Sequence, residues 1–429
     1  MLDFKLEKTS NDLRIISSEL KNTKAVTILI LVKTGSRYEQ AHENGIAHFL
    51  EHIFFKGTYK RPKTLDIAKE LDGIGASYNA FTAEEYTGFY IRAESSHFNL
   101  ALDMLSDMLT NSKFEQKEIQ KEKGVILEEI NMINDQPQAH VEYILKELLW
   151  KNQPLGRTIT GIAQTVTNFN RKNFTAFFDN FYQANNIIIT VAGGKSQDKK
   201  SLQDWTREVE KTFKKISNKK TPEYEKAHEN QTKPELKIYN KKTDQSHFII
   251  GFRALKYKDE RRSILKVLNN IMGATMSSRL FTEVREKRGL CYYISSDVAY
   301  YEDTGFWGVS AGVDIKKTEE ALKVIVSEFQ KILNKKVSSE ELLRAKENLK
   351  GHLYLSLEES MNVAQLLAEQ EMFLGKIKDP DEIAKEIDKV SKEDIQKLDK
   401  DIFLPGKLNL AIIGPFKEEE KFKKILNEF

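Results

Sequence analysis

The chain has a single cysteine, Cys291, among its 429 residues. It therefore holds no disulfide within itself, which fits a reducing compartment. Charge of one sign is also lacking, since 67 Lys and Arg stand against 64 Asp and Glu for a net +3. That balance gives nucleic-acid binding no support, and the lysine-rich run from Lys214 to Lys220 reads as solvated surface. Long apolar runs are missing as well. The longest near the start, "ILILV" (Ile28 to Val32), is strand-sized, whereas a membrane span needs about 20 residues. The opening stretch "MLDFKLEKTSNDLRIISSEL" carries neither an apolar core nor a small-residue cleavage pattern. No secretory signal and no membrane partner are expected, and the cytoplasm is the expected location.

What is present is a soluble globular composition, with 40% hydrophobic and 31% charged residues. The length exceeds one compact core and favours two domains of roughly 200 residues. Strand-like segments "FKLEKT", "LRIISSEL" and "AVTILILVKTG" open the first half, followed by helical patterns, the strands "ASYNAFTA" and "EYTGFYIRAE", further helices, and the β-branched strand "NNIIITVAGG". From "PELKIYNKK" the same order recurs and closes on "KLNLAIIGP". The two endings lie about 220 residues apart, as two copies of one unit would place them. The expected fold is α+β: two tandem homologous domains, each a mostly antiparallel mixed sheet with helices packed on one side. The expected bounds are residues 1–214 for the first domain, 215–234 for a polar linker and 235–429 for the second.

The chain has eight histidines, and two of them, His48 and His52, sit four residues apart in the apolar run "GIAHFLEHIFFKGT". On a helix that spacing stacks two imidazoles on one face, with Glu51 reaching the same region. Two neutral imidazoles and a carboxylate suit zinc and leave a fourth position for water, which a neighbouring carboxylate can deprotonate. The bland alternative is a pair of ordinary histidines on an amphipathic helix. Since the pattern H-x-x-E-H arises by chance on the order of once in a hundred such chains, a third ligand is needed. The stretch "EKGVILEEI" offers Glu122 and Glu129, seven residues apart on one helix face, with Glu128 about a quarter turn away. Read alone, its four acids from Glu118 to Glu129 also fit a solvated helix face. The second half has no paired histidines.

"HFLEHIFFKGT", followed 77 residues after His52 by the last glutamate of "VILEE", resembles the pitrilysin and mitochondrial processing peptidase family, the inverted-motif zinc peptidases or inverzincins. The resemblance extends to "SYNAFTAEEYTGFY", "PLGRTITG" and "SSRLFTEVREKRGLCYY", and so spans nearly the whole chain. It implies a half-length, bacterial-type zinc metalloendopeptidase with one Zn2+ per chain. His48, His52 and Glu129 would be the ligands, Glu51 the general base acting on zinc-bound water, and Glu122 a second carboxylate behind them. It further implies that the strand of "SYNAFTA" pairs with an extended peptide substrate, with Asn79 and Ala80 beside the scissile bond. Arg285 and Tyr292 would stabilise the carbonyl oxygen as charge develops on it. An enclosed chamber that admits short or unfolded polypeptides, formed by a homodimer, is also implied. The alternative is a non-catalytic relative serving as an assembly or partner subunit. Against it, "NNIMGATMSSRLF" carries only Gly273 and lacks the glycine-rich loop of the non-catalytic processing subunit.

Overall fold

Among the described residues, eleven strands form two sheets. The computed structural model describes residues 2–194 and 202–429. The first sheet contains β1 (Asp3–Lys8), β2 (Arg14–Glu19), β3 (Ala25–Val32), β4 (Ser77–Thr82), β5 (Thr87–Glu94) and β6 (Ile187–Gly193), in the order β1-β2-β6-β3-β5-β4. Only β2 and β6 run parallel. The second contains β7 (Glu235–Asn240), β8 (Gln245–Arg253), β9 (Cys291–Tyr300), β10 (Gly305–Asp314) and β11 (Asn409–Gly414), in the order β7-β11-β8-β10-β9. Its one parallel pair is β7 with β11. Apart from the added β1, the two sheets have the same order and the same sense of pairing, as a tandem repeat requires.

Both faces of each sheet are apolar, and that decides the domain organisation. In a strand, alternate side chains point to opposite faces. Val26, Ile28, Ile30 and Val32 of β3 join the main core with Phe49, Leu50, Leu102 and Leu105. The intervening Thr27, Leu29 and Leu31 are equally buried. The helix Ser360–Leu374 packs on β3 and β6, and its Ser360 Oγ lies 2.8 Å from Thr27 Oγ1. The second sheet repeats the arrangement. Phe248, Ile250 and Phe252 face its main core, while Ile249, Ala411 and Ile413 pack with Val141, Ile144 and Leu145 of the helix Pro137–Leu149. The layer of helices expected on one side is present in each unit, and one further helix covers the other face.

That further helix comes from the other half of the sequence in both cases. One compact unit is Met1–Asn131, Arg157–Glu225 and Tyr354–Asp379; the other is Met132–Gly156, Lys226–Leu353 and Pro380–Phe429. The units therefore do not follow the contiguous bounds 1–214 and 235–429. The segment 215–234 is also divided between them. Tyr224 lies under the Arg37 guanidinium at 3.9 Å, and Arg37 donates to the Glu225 carbonyl at 3.3 Å. Beyond it, the Ala227 N–H donates to Asp303 at 2.8 Å. No helix of the described residues is long and apolar enough to cross a membrane.

Candidate metal centre

The histidines lie on the helix Ile46–Phe54, which buries Ile46, Ala47, Phe49, Leu50, Ile53 and Phe54. Those apolar residues pack into the core of the first unit, and the 3.6-residue repeat leaves His48, Glu51 and His52 on the remaining face. The two imidazole rings are 4.7 Å apart. Glu129 reaches them from the helix Gln116–Asp135, its Oε1 3.5 Å from His48 Nε2 and its Oε2 3.7 Å from His52 Nε2.

Glu122, two turns earlier on the same helix, takes a different position. Its Oε1 lies 2.9 Å from His52 Nδ1, and its Oε2 accepts from Lys56 Nζ at 2.7 Å. A proton held on His52 Nδ1 leaves the Nε2 lone pair facing His48 and Glu129. Burial pushes the Glu122 carboxyl up, but His52 and Lys56 outweigh it and hold the group below its ordinary value. Burial likewise pulls His52 down, and its bond to Glu122 together with the surrounding carboxylates carries it above its ordinary value. His48 Nδ1 has no such partner, and burial, then His52, lower the imidazole to about 3. His48 is accordingly a neutral imidazole.

These residues fit a zinc ion. One ligand atom each from His48, His52 and Glu129 lie within 4.8 Å of one another, and among the described residues no other such group occurs. Ligand atoms about 2.0–2.1 Å from a tetrahedral zinc are about 3.3 Å apart, close to the spacing from Glu129 to each histidine. His48 Nδ1 is buried without a hydrogen-bond partner, so this ring has its Nε2 as its one engaged edge. Three carboxylates, Glu51, Glu122 and Glu129, converge on two imidazoles with one lysine among them, which favours a cation.

Glu51 stays apart from the three ligand atoms. Its Oε2 accepts from Thr82 Oγ1 at 2.5 Å, and burial raises its carboxyl above the ordinary value, with Glu129 adding to the rise. Thr82 ends β4, which lies at the edge of its sheet and, among the described residues, pairs with β5 alone. On that edge Asn79 is exposed and Ala80 buried, and the Ala80 N–H donates to Asn79 Oδ1 at 2.9 Å. Arg285 and Tyr292 belong to the second unit. The Arg285 guanidinium lies 4.9 Å over the Phe281 ring, in a π-helical turn Phe281–Glu286 that propensity did not foretell. Tyr292 is 76% exposed on β9, an edge strand of its own sheet.

Sequence reasoning missed Thr82 and Lys56. Lys56 was legible as the residue one turn past His52. Thr82 was not, because its contact spans 31 residues of chain.

Residues 14–162 match the family described as insulinase (peptidase family M16), and residues 168–349 match the one described as peptidase M16 inactive domain. The chain is 36% identical to the uncharacterized zinc protease YmxG of Bacillus subtilis, covering 94% of this chain and 97% of that protein. It is 33% identical to the uncharacterized zinc protease SCO5738 of Streptomyces coelicolor, covering 95% and 89%. Among solved structures, a protease from Helicobacter pylori shares the fold with a TM-score of 0.89 at 21% identity, over 97% of this chain and 100% of that one.

Proposed function

The chain belongs to the M16, or insulinase, family of peptidases, and from that premise we propose that it is a zinc metalloendopeptidase acting on short or unfolded polypeptides. The observation that carries this reading is the convergence of His48, His52 and Glu129, with Glu51 on the same helix and bonded only to Thr82 in the contacts above. His48, His52 and Glu129 would hold the zinc, which when bound would supply Lewis acidity toward a carbonyl and lower the pKa of water to about 7.

The chain's own residues do the rest. Glu51, raised by burial, accepts a proton from the attacking water and returns it to the leaving amine nitrogen. Glu122 keeps the His52 proton on Nδ1 and so keeps Nε2 available. The free edge of β4 pairs with an extended peptide through main-chain hydrogen bonds, with Asn79 and Ala80 flanking the bond to be cut. The Ala80 N–H then exchanges its bond to Asn79 for one to the substrate. Tyr292 donates to the carbonyl oxygen as charge builds there, and Arg285 orients it. We assign one zinc per chain, a homodimer whose chamber this pair completes, and a cytoplasmic location in keeping with the single cysteine.

The test is cleavage of an unstructured peptide of a few tens of residues by zinc-loaded wild type and Glu51→Gln. Wild type should cut, while Glu51→Gln keeps its zinc and loses activity by about 10²–10⁴-fold. If both hold zinc and neither cuts, the chain is a non-catalytic relative acting as an assembly or partner subunit.

A further inference from the structure

The helix Ile46–Phe54 begins at Gly45, whose φ of 95° places it in the left-handed region and which offers no side chain as a cap. The first N–H groups of a helix lack partners within it and need acceptors from elsewhere. Here the acceptor is Glu39, only 2% exposed. Its Oε2 accepts from the Gly45 N–H at 2.8 Å and from Asn44 Nδ2 at 3.0 Å, and its Oε1 accepts from the Ala47 N–H at 2.9 Å. His48 is the next residue.

Glu39 is itself held by the segment "PLGRTITG". Arg157 Nη1 donates to the Glu39 carbonyl at 2.7 Å, and Asn44 Nδ2 also donates to the Thr158 carbonyl at 2.8 Å. Gly161 approaches so closely that a Cβ on it would lie 2.5 Å from the Asn44 carbonyl oxygen. This segment has no part in the chemistry proposed above, yet it closes around the turn that starts the histidine helix.

We propose that Glu39, fixed by Arg157, is a positioning residue for the metal centre. The inference rests on the metal reading given above. A metal site tolerates misplacement of only about 0.5 Å, and a helix advances 1.5 Å per residue. The carboxylate meets three donors and no acceptor, so it sets where the first turn sits and thereby where His48 Nε2 stands relative to Glu129. An amide at position 39 would turn an NH2 toward at least one of those donors and release part of the turn.

The test uses the full chain. Cobalt(II) is titrated into metal-free wild type, Glu39→Gln, Arg157→Met and Val209→Ala, with the visible absorption recorded. Amide hydrogen exchange at Gly45 and Ala47 is followed in the metal-free proteins. Glu39→Gln should bind cobalt about 10- to 100-fold more weakly, with an altered absorption band and faster exchange at both amides. Arg157→Met should change in the same direction by less, and it carries the test alone if Glu39→Gln does not fold. Val209→Ala, in the core on the helix Leu202–Phe213, should lose stability yet keep the wild-type cobalt affinity and spectrum. Wild-type affinity and spectrum in both Glu39→Gln and Arg157→Met would overturn the proposal. A wild type that takes up no cobalt overturns the metal reading, and the proposal with it, whatever the exchange rates say about the turn.

Discussion

The histidine helix has a counterpart in the second unit. Ile46–Phe54 lies between β3 and β4, and Arg262–Met272 lies between β8 and β9, the strands at the matching places in the second sheet. Both helices bury an apolar face. Where the first turns His48, Glu51 and His52 toward carboxylates, the second carries Asn269, whose Oδ1 accepts from Trp307 Nε1 at 2.9 Å and from Ser296 Oγ at 2.7 Å. One scaffold thus gathers titratable groups in one unit and satisfies buried donors in the other. The backbone plan is common to both units; the titratable cluster depends on a few side chains on one helical turn.

Exchanging the roles of these residues should break the comparison most visibly. His52→Ala should lose nearly all bound zinc, measured by elemental analysis after dialysis, while leaving a folded protein. Asn269→Ala should keep its zinc and cost about 1–3 kcal/mol of stability, because it strands the buried Trp307 indole N–H, whereas Ser296 Oγ keeps the Asn269 carbonyl at 3.2 Å. Zinc loss from Asn269→Ala would mean that the second unit shapes the site after all.

Two buried acids sharpen the contrast through pH. Burial pushes both Glu39 and Asp399 up to about 8. Glu39 is met by three donors, whereas neither oxygen of Asp399 has a hydrogen-bond partner. For Asp399 the folded value exceeds the unfolded one, so the unfolded chain binds fewer protons between about pH 4 and 8, and stability falls as pH rises through that window. Asp399→Asn should remove its own share of this slope, leaving that of Glu39, and be more stable near pH 8 by on the order of 1–3 kcal/mol. Glu39→Gln should instead be less stable than wild type at that pH. Chemical denaturation across the window checks both signs, and an unchanged slope in Asp399→Asn would refute the assignment.

Glycines give the smallest effect. Gly161, at φ 78°, has no room for a Cβ, while Gly289, at φ 56°, has nothing within 4 Å of one. Gly289→Ala should cost about 1–2 kcal/mol, the left-handed penalty alone. Gly161→Ala should cost more and weaken metal binding, since the Asn44 carbonyl must move. Equal melting shifts in the two variants would remove the close packing from the account.

Much of the molecule follows from the sequence alone. Alternation of apolar residues marks the strands, and the recurrence of their order announces the repeat. The four-residue spacing of His48 and His52 and the seven-residue spacing of Glu122 and Glu129 place each pair on one helix face. Those are local periods, set by how a backbone presents its own side chains. Tertiary structure decided the rest. The helices Pro137–Leu149 and Ser360–Leu374 cover sheets in the opposite half of the sequence, Thr82 holds Glu51, and Glu39 with Arg157 holds the start of the histidine helix. The apolar runs of β3 and β6 belong to strands buried on both faces, whereas helices were expected on one side only, and nothing local in those runs names the covering segment. A period reports which face needs a partner; the partner itself comes from distant chain and is selected by packing and by donors that must be satisfied.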